Sequence, residues 1–119
     1  MDTERALFLR LEQLMDSERL FLDTSLSRDD VCQLLGIDKN TLGALISQHS
    51  GCQNLQVYIN RWRVRYAARL MARHPELTTT TIIRMSGMAY SATFNRTFRE
   101  FYGQTPSEYR KKLQTLIMQ

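Results

Sequence analysis

Glycine, proline and cysteine are all scarce here: five, two and two among 119 residues. So little glycine and proline leaves no room for a fibrous or low-complexity chain. Two cysteines, Cys32 and Cys52, sit inside helical patterns without the close spacing of a disulfide framework, so free thiols in a reducing compartment are expected. Long apolar runs are missing as well. Nothing approaches the roughly 20 residues a membrane helix needs. Residues 1–10 carry charges of both signs with no apolar stretch behind them, so the chain reads as soluble, unexported and cytoplasmic.

Catalytic patterns are equally wanting. There is no glycine-rich phosphate loop and no carboxylate pair or serine–histidine pair spaced for chemistry. Both histidines, His49 and His74, fall near helix ends. Cys32, His49, Cys52 and His74 fit no short zinc motif. We expect no enzyme, no cofactor and no metal.

What is present is a soluble globule with enough apolar material for one core, 43% hydrophobic residues, and a net charge of +4. The charge is unevenly spread. Residues 1–27 hold three arginines against six acids, or −3, and residues 28–119 hold thirteen basic residues against six acids, or +7. A basic body points to a polyanion as partner. The competing reading is a basic helical module that binds proteins without reading DNA. Steep loss of duplex affinity with salt separates the two.

Periodicity is helical throughout, and no strand-like alternation competes. In residues 3–15, Leu7, Leu11, Leu14 and Met15 fall on one face. Leu20–Leu22 reads as an extended apolar stretch tucked against the body. Ser27 with Asp30 forms a capping box for a short helix facing inward through Val31, Leu34 and Leu35 and ending at Gly36. Asp38 caps a second helix carrying Leu42, Leu45 and Ile46. Helix, tight turn and helix in about 24 residues is the footprint of a helix-turn-helix.

A long helix over 55–73 follows, its stripe Leu55, Ile59, Trp62, Tyr66 and Leu70, with Arg61, Arg65 and Arg69 every fourth residue. At about 1.5 Å per residue it spans roughly 28 Å. Pro75 stops it. The pattern then recurs: threonines 78–81 offer caps for a helix over 80–86, Gly87 turns, and a helix over 93–102 carries Phe94, Phe98 and Phe101 as core before Gly103. Thr105-Pro106-Ser107-Glu108 is a capping box with proline in the first helical position, opening a last helix through Tyr109, Leu113 and Leu116. The expected fold is all-α, about seven helices, with two helix-turn-helix subdomains joined by a long linker helix.

Several segments together carry a resemblance. They are residues 26–36 and 42–51; Tyr58-Ile59-Asn60-Arg61-Trp62-Arg63-Val64 with Ala67, Leu70 and Met71; and Phe94-Asn95-Arg96-Thr97-Phe98 with residues 102–110. The ending F-x-x-x-F-x-x-x-x-G-x-T-P-S-E-Y-R, from Phe94 to Arg110, is its specific part. Over residues 26–113 the chain resembles the DNA-binding domain of AraC/XylS-type transcription regulators.

That resemblance implies a sequence-specific regulator of transcription with two recognition helices in successive major grooves. A linker helix near 28 Å suits grooves about 34 Å apart. It divides the chain into an amphipathic connector, 1–25, and the DNA-binding domain, 26–119. Residues 1–25 are similar to the connector that precedes this domain in larger regulators, which favours an output domain separated from a sensor or receiver over the alternative, a small stand-alone activator. Its partners are double-stranded DNA and, beyond it, RNA polymerase. The isolated domain is expected to be monomeric, since paired motifs already span two grooves.

Matched motif to motif, the base-reading positions fall on Asn40, Thr41, Gly43 and Ala44 in the first unit and on Ser91, Ala92, Thr93, Asn95 and Arg96 in the second. Gly43 and Ala44 bring no donors, so the readers are Asn40, Thr41, Ser91, Thr93, Asn95 and Arg96. Asn40 suits adenine and Arg96 suits the O6/N7 edge of guanine. Lys39, Arg61, Arg65, Arg99, Arg110, Lys111 and Lys112 are the expected phosphate contacts. Ala89 stands where relatives usually carry a capping serine, so Ser91 is expected to cap one turn later. Ile83 replaces a small residue of the family, which implies a slightly splayed second pair, and Cys32 fills the equivalent place in the first.

Overall fold

The computed structural model describes residues 2–118, and its regular structure there is entirely helical. The helices are α1 (Asp2–Asp16), α2 (Arg28–Leu35), α3 (Lys39–His49), α4 (Leu55–Arg73), α5 (Thr79–Met85), α6 (Ser91–Tyr102) and α7 (Pro106–Met118). A 3-10 turn lies at Leu20–Leu22. The all-α expectation and its helix count agree with this. The chain divides into two compact units, Met1–Trp62 and Arg63–Gln119, with the boundary inside α4.

In the first unit α1 packs against α2 and α3. Leu14 and Met15 lie three and four residues after Leu11, so they share a face with it, and all three are buried. Val31 of α2, Leu42, Leu45 and Ile46 of α3, and Tyr58 and Ile59 of α4 are buried in the same unit. The Tyr58 hydroxyl donates to the Glu12 carboxylate, pinning α1 to α4. At the other end of α1, Phe8 stacks on His49 with ring centres 5.6 Å apart, and Glu4 lies 3.7 Å from His49 Nε2.

Two expectations fail in this unit. Leu20–Leu22 is not extended: Arg19 adopts φ 53°, and bonds from Leu22 N–H to Arg19 and from Asp23 N–H to Leu20 wind the segment into a 3-10 turn. The turn buries Phe21, whose ring stacks on Trp62 at 5.9 Å. Leu34 is 51% exposed rather than inward. Eight residues of α2 give it little more than two turns, and the buried line runs through Val31 to half-buried Leu35, four residues on.

The second unit has its own core of Val64, Ala67, Leu70 and Met71 from α4, Ile82 and Ile83 from α5, Met88 from the turn, and Phe94 and Phe98 from α6. Ile83 packs in it as a buried residue. Phe101 is 37% exposed, contrary to expectation. Four-residue steps carry the apolar face of α6 from Phe94 through Phe98 to Tyr102 instead, and Tyr102 stacks on Phe98 at 4.6 Å. Tyr109 of α7 closes the cluster edge-on to Phe98 at 5.3 Å. Burying rings of this size contributes roughly 2–3 kcal/mol each.

Helix starts follow local chemistry. Ser27 Oγ accepts from Asp30 N–H at 3.1 Å while Asp30 accepts from Ser27 N–H at 3.0 Å. Thr105 and Glu108 repeat the reciprocal pair at 3.1 and 2.9 Å, with Pro106 opening α7. Of the four threonines offered ahead of α5, Thr78 is the cap: its Oγ1 accepts from Thr81 N–H at 3.1 Å.

Candidate nucleic-acid interface

Each unit contains a helix, a tight turn and a second helix, and hydrogen bonds at either end of the two turns bring them into register. In the first unit Gly36 (φ 68°) ends α2, and the Ile37 N–H donates to the Cys32 carbonyl at 3.1 Å. In the second Gly87 (φ 84°) follows α5, and the Met88 N–H donates to the Ile83 carbonyl at 3.2 Å. Positive φ is the reason both turns carry glycine there. Cys32 and Ile83 are therefore equivalent. The second helices register through Leu42 N–H to Asp38 and Phe94 N–H to Tyr90, at 3.0 and 3.1 Å.

Asp38 and Tyr90 thus hold the same position, one residue ahead of the second helix. Between the glycine and this position lies Ile37 alone in the first unit, but Met88 and Ala89 in the second. Asp38 caps: its carboxylate accepts from Thr41 N–H at 2.7 Å, and bonding to Thr41 holds its pKa below the ordinary carboxylate value. Tyr90 makes no side-chain cap. Ser91, expected to cap α6, is its first helical residue instead. The missing cap is at Tyr90, and Ala89 is the extra residue of the longer turn.

Buried Leu42, Leu45 and Ile46 turn α3 so that Lys39, Asn40, Thr41, Gly43 and Ala44 are exposed. A Cβ built on Gly43 would meet nothing within 4 Å. Buried Phe94, Thr97 and Phe98 do the same for α6, exposing Ser91, Ala92, Asn95, Arg96 and Arg99 and leaving Thr93 half-buried. Asn95, Arg96 and Arg99 line one groove of about 660 Å³ with Thr79, Thr105 and Ser107. Lys39 and Asn40 line another, of about 510 Å³, with Asp29, Cys32 and Asp38.

The expected phosphate contacts differ in their exposure and in their surroundings. Lys39 lies 3.9 Å from Asp29 with both side chains largely in solvent, an ion pair of little strength. Arg65, Arg99, Lys111 and Lys112 are exposed. Arg61 donates from Nη1 to the Ser50 carbonyl at 3.0 Å and lies 5.7 Å from the Tyr58 ring centre. Arg110 donates to Thr79 Oγ1 at 3.0 Å and to the carbonyls of Pro75 and Leu77 at 3.2 and 2.6 Å. Both guanidinium groups serve the packing of their own unit, a role that neither the arginine repeat holding Arg61 nor the motif holding Arg110 reveals. Tyr90 is the exposed residue that reading the motif overlooked, and counting residues after the two turn glycines is the signal that finds it.

Cys32 and Cys52 are free thiols. Among the described residues no three His, Cys, Asp or Glu side chains gather as metal ligands, and no helix is long and apolar enough to cross a membrane.

Residues 31–112 match the family model of a helix-turn-helix domain. An uncharacterized HTH-type transcriptional regulator of Escherichia coli, YpdC, is 33% identical over 89 residues, which take in 75% of this chain and 30% of YpdC. Similar regulators of Staphylococcus aureus match 85% of the chain with 13% of their own length, so the chain spans less than a third of these curated relatives. The C-terminal domain of AraT, a response regulator from Geobacillus stearothermophilus, has the same fold at a TM-score of 0.75 with 23% identity, covering 89% of this chain and 84% of that one. A transcriptional regulator structure from Chromobacterium violaceum, described as of AraC-type DNA-binding-domain proteins, gives 0.70 with 22% identity, 87% and 94% covered. The chain belongs to the AraC-type helix-turn-helix family.

Proposed function

We propose that this chain is the DNA-reading part of a larger transcription regulator, with α3 and α6 each inserted into a major groove of duplex DNA. The observation that carries this reading is the exposed polar face of α6, where Ser91, Asn95, Arg96 and Arg99 lie outward on a helix held from behind by Phe94 and Phe98. Asn40, Thr41, Ser91, Thr93, Asn95 and Arg96 read base edges, Arg96 through the paired acceptors of guanine. Lys39, Arg65, Arg99, Lys111 and Lys112 meet phosphates. Arg61 and Arg110, already engaged with backbone carbonyls, act through the fold.

The reading involves no catalytic step and no cofactor. It places the chain in the cytoplasm, as a monomeric domain joined in its parent to a sensor or receiver and acting on RNA polymerase. Filter binding across a salt series tests it. The expected slope of log K against log salt corresponds to about five to eight phosphates, with duplex preferred over single strand. A flat dependence, or equal affinity for single strands, overturns the reading.

A further inference from the structure

Tyr90 is 74% exposed, more than the apolar Leu116 or Ile117 near the end of α7. Its backbone is nonetheless fixed. Met88 on one side and Phe94 on the other are buried, the Met88 N–H donates to Ile83, and the Phe94 N–H donates to the Tyr90 carbonyl. Ala89, Ser91 and Ala92 around it are exposed and short, so the ring stands clear of its neighbours. A helix start favours serine, threonine, asparagine or aspartate at this position. Asp38 supplies such a cap in the first unit, whereas the Tyr90 side chain makes no cap for α6. An exposed aromatic ring on an anchored backbone, in a place that helix chemistry gives to a small polar residue, has its use outside the molecule.

We propose that Tyr90 is a specificity-determining contact to DNA, its ring lying against the 5-methyl group of a thymine in the half-site of the second unit. The inference rests on the DNA-reading function above. Residues at the start of a recognition helix meet base edges first. Thymine alone among the four bases presents a methyl group in the major groove, and an apolar surface is what recognises it. A tyrosine held by its backbone has only two side-chain torsions to fix, so the contact costs little order.

The test compares the parent chain with Tyr90→Ser and Tyr90→Phe by thermal melting, by selection from random duplexes and by affinity for the selected site. Tyr90→Ser is expected to melt no lower than the parent, because serine caps α6, yet to bind the selected duplex about tenfold more weakly and lose preference at one T·A pair. Tyr90→Phe retains that preference. Replacing the thymine by deoxyuridine, which lacks the methyl group, reproduces the loss for the parent and leaves Tyr90→Ser unaffected. A parent chain that selects no duplex overturns the DNA reading and this contact together. A parent that selects a site which Tyr90→Ser binds equally well, or deoxyuridine that changes nothing, overturns the contact alone.

Discussion

The guanidinium of Arg110 donates to the carbonyl of Leu77 at 2.6 Å, and the same fork reaches Pro75 and Thr79. A single side chain of α7 thereby satisfies backbone acceptors of the segment that leads into α5. Arg110→Ala is expected to destabilise the chain by about 2 kcal/mol, since half-buried acceptors lose a charged donor. Arg110→Lys does not restore it, because an ammonium lacks the planar fork that serves several acceptors at once. Urea denaturation reads both variants, and an unchanged midpoint in Arg110→Ala would refute the assignment.

Tyr58→Phe removes the donor to Glu12 and is expected to cost about 1–2 kcal/mol. Burial, then the bond to Glu12, pushes the Tyr58 phenol well above the ordinary tyrosine range. A group whose pKa is raised by folding contributes its stability fully below the unfolded value and loses it as pH rises. Stability should therefore fall from about pH 10 upward, where the unfolded phenol ionises and the folded one does not. Tyr58→Phe should show a shallower alkaline limb; identical limbs would contradict this.

Asp38 and Glu108 act in the opposite sense. Bonds from Thr41 and from Thr105 lower their pKa values, so their contribution is complete above the ordinary carboxylate range and is lost as pH falls through the lowered values. Helix content followed by circular dichroism should fall as pH drops below about 4. Asp38→Asn keeps an acceptor for Thr41 and should flatten part of the acid limb. An acid limb unchanged in that variant counts against the cap's role.

Base discrimination should be unequal between the units. Gly43 and Ala44 of α3 correspond to Asn95 and Arg96 of α6, when Leu42 is set against Phe94. Arg96→Ala should cost roughly 1–3 kcal/mol and relax preference at one base pair, whereas Lys39→Ala should weaken all sequences alike, and by less. Selected-site profiles decide it: equal information in both half-sites would place the reading on the wrong helix.

Local chemistry was legible and distant geometry was not. The Ser27–Asp30 and Thr105–Glu108 capping boxes span three residues each, so their side chains are bound to meet once the helix starts. The acceptors of Arg110 lie 31 to 35 residues away, and no periodicity announces them. Arg61 likewise reaches Ser50, eleven residues back. Phe101 looked internal because a three-residue step is also helical, and the ring contacts of Tyr102 with Phe98 and Tyr109 show that Tyr102 takes the place. One added residue, Ala89, moved the expected cap. A turn's length is set by where Met88 finds the core, which the spacing of apolar residues does not encode.

Gly43 has an ordinary backbone conformation, and a side chain built on it meets open space. Alanine there removes the flexibility of a mid-helix glycine and should steady α3 by roughly 0.5–1 kcal/mol. If α3 reads DNA as proposed, arginine, asparagine or glutamine at position 43 would add a reader to the first unit while Leu42, Leu45 and Ile46 stay buried where they are.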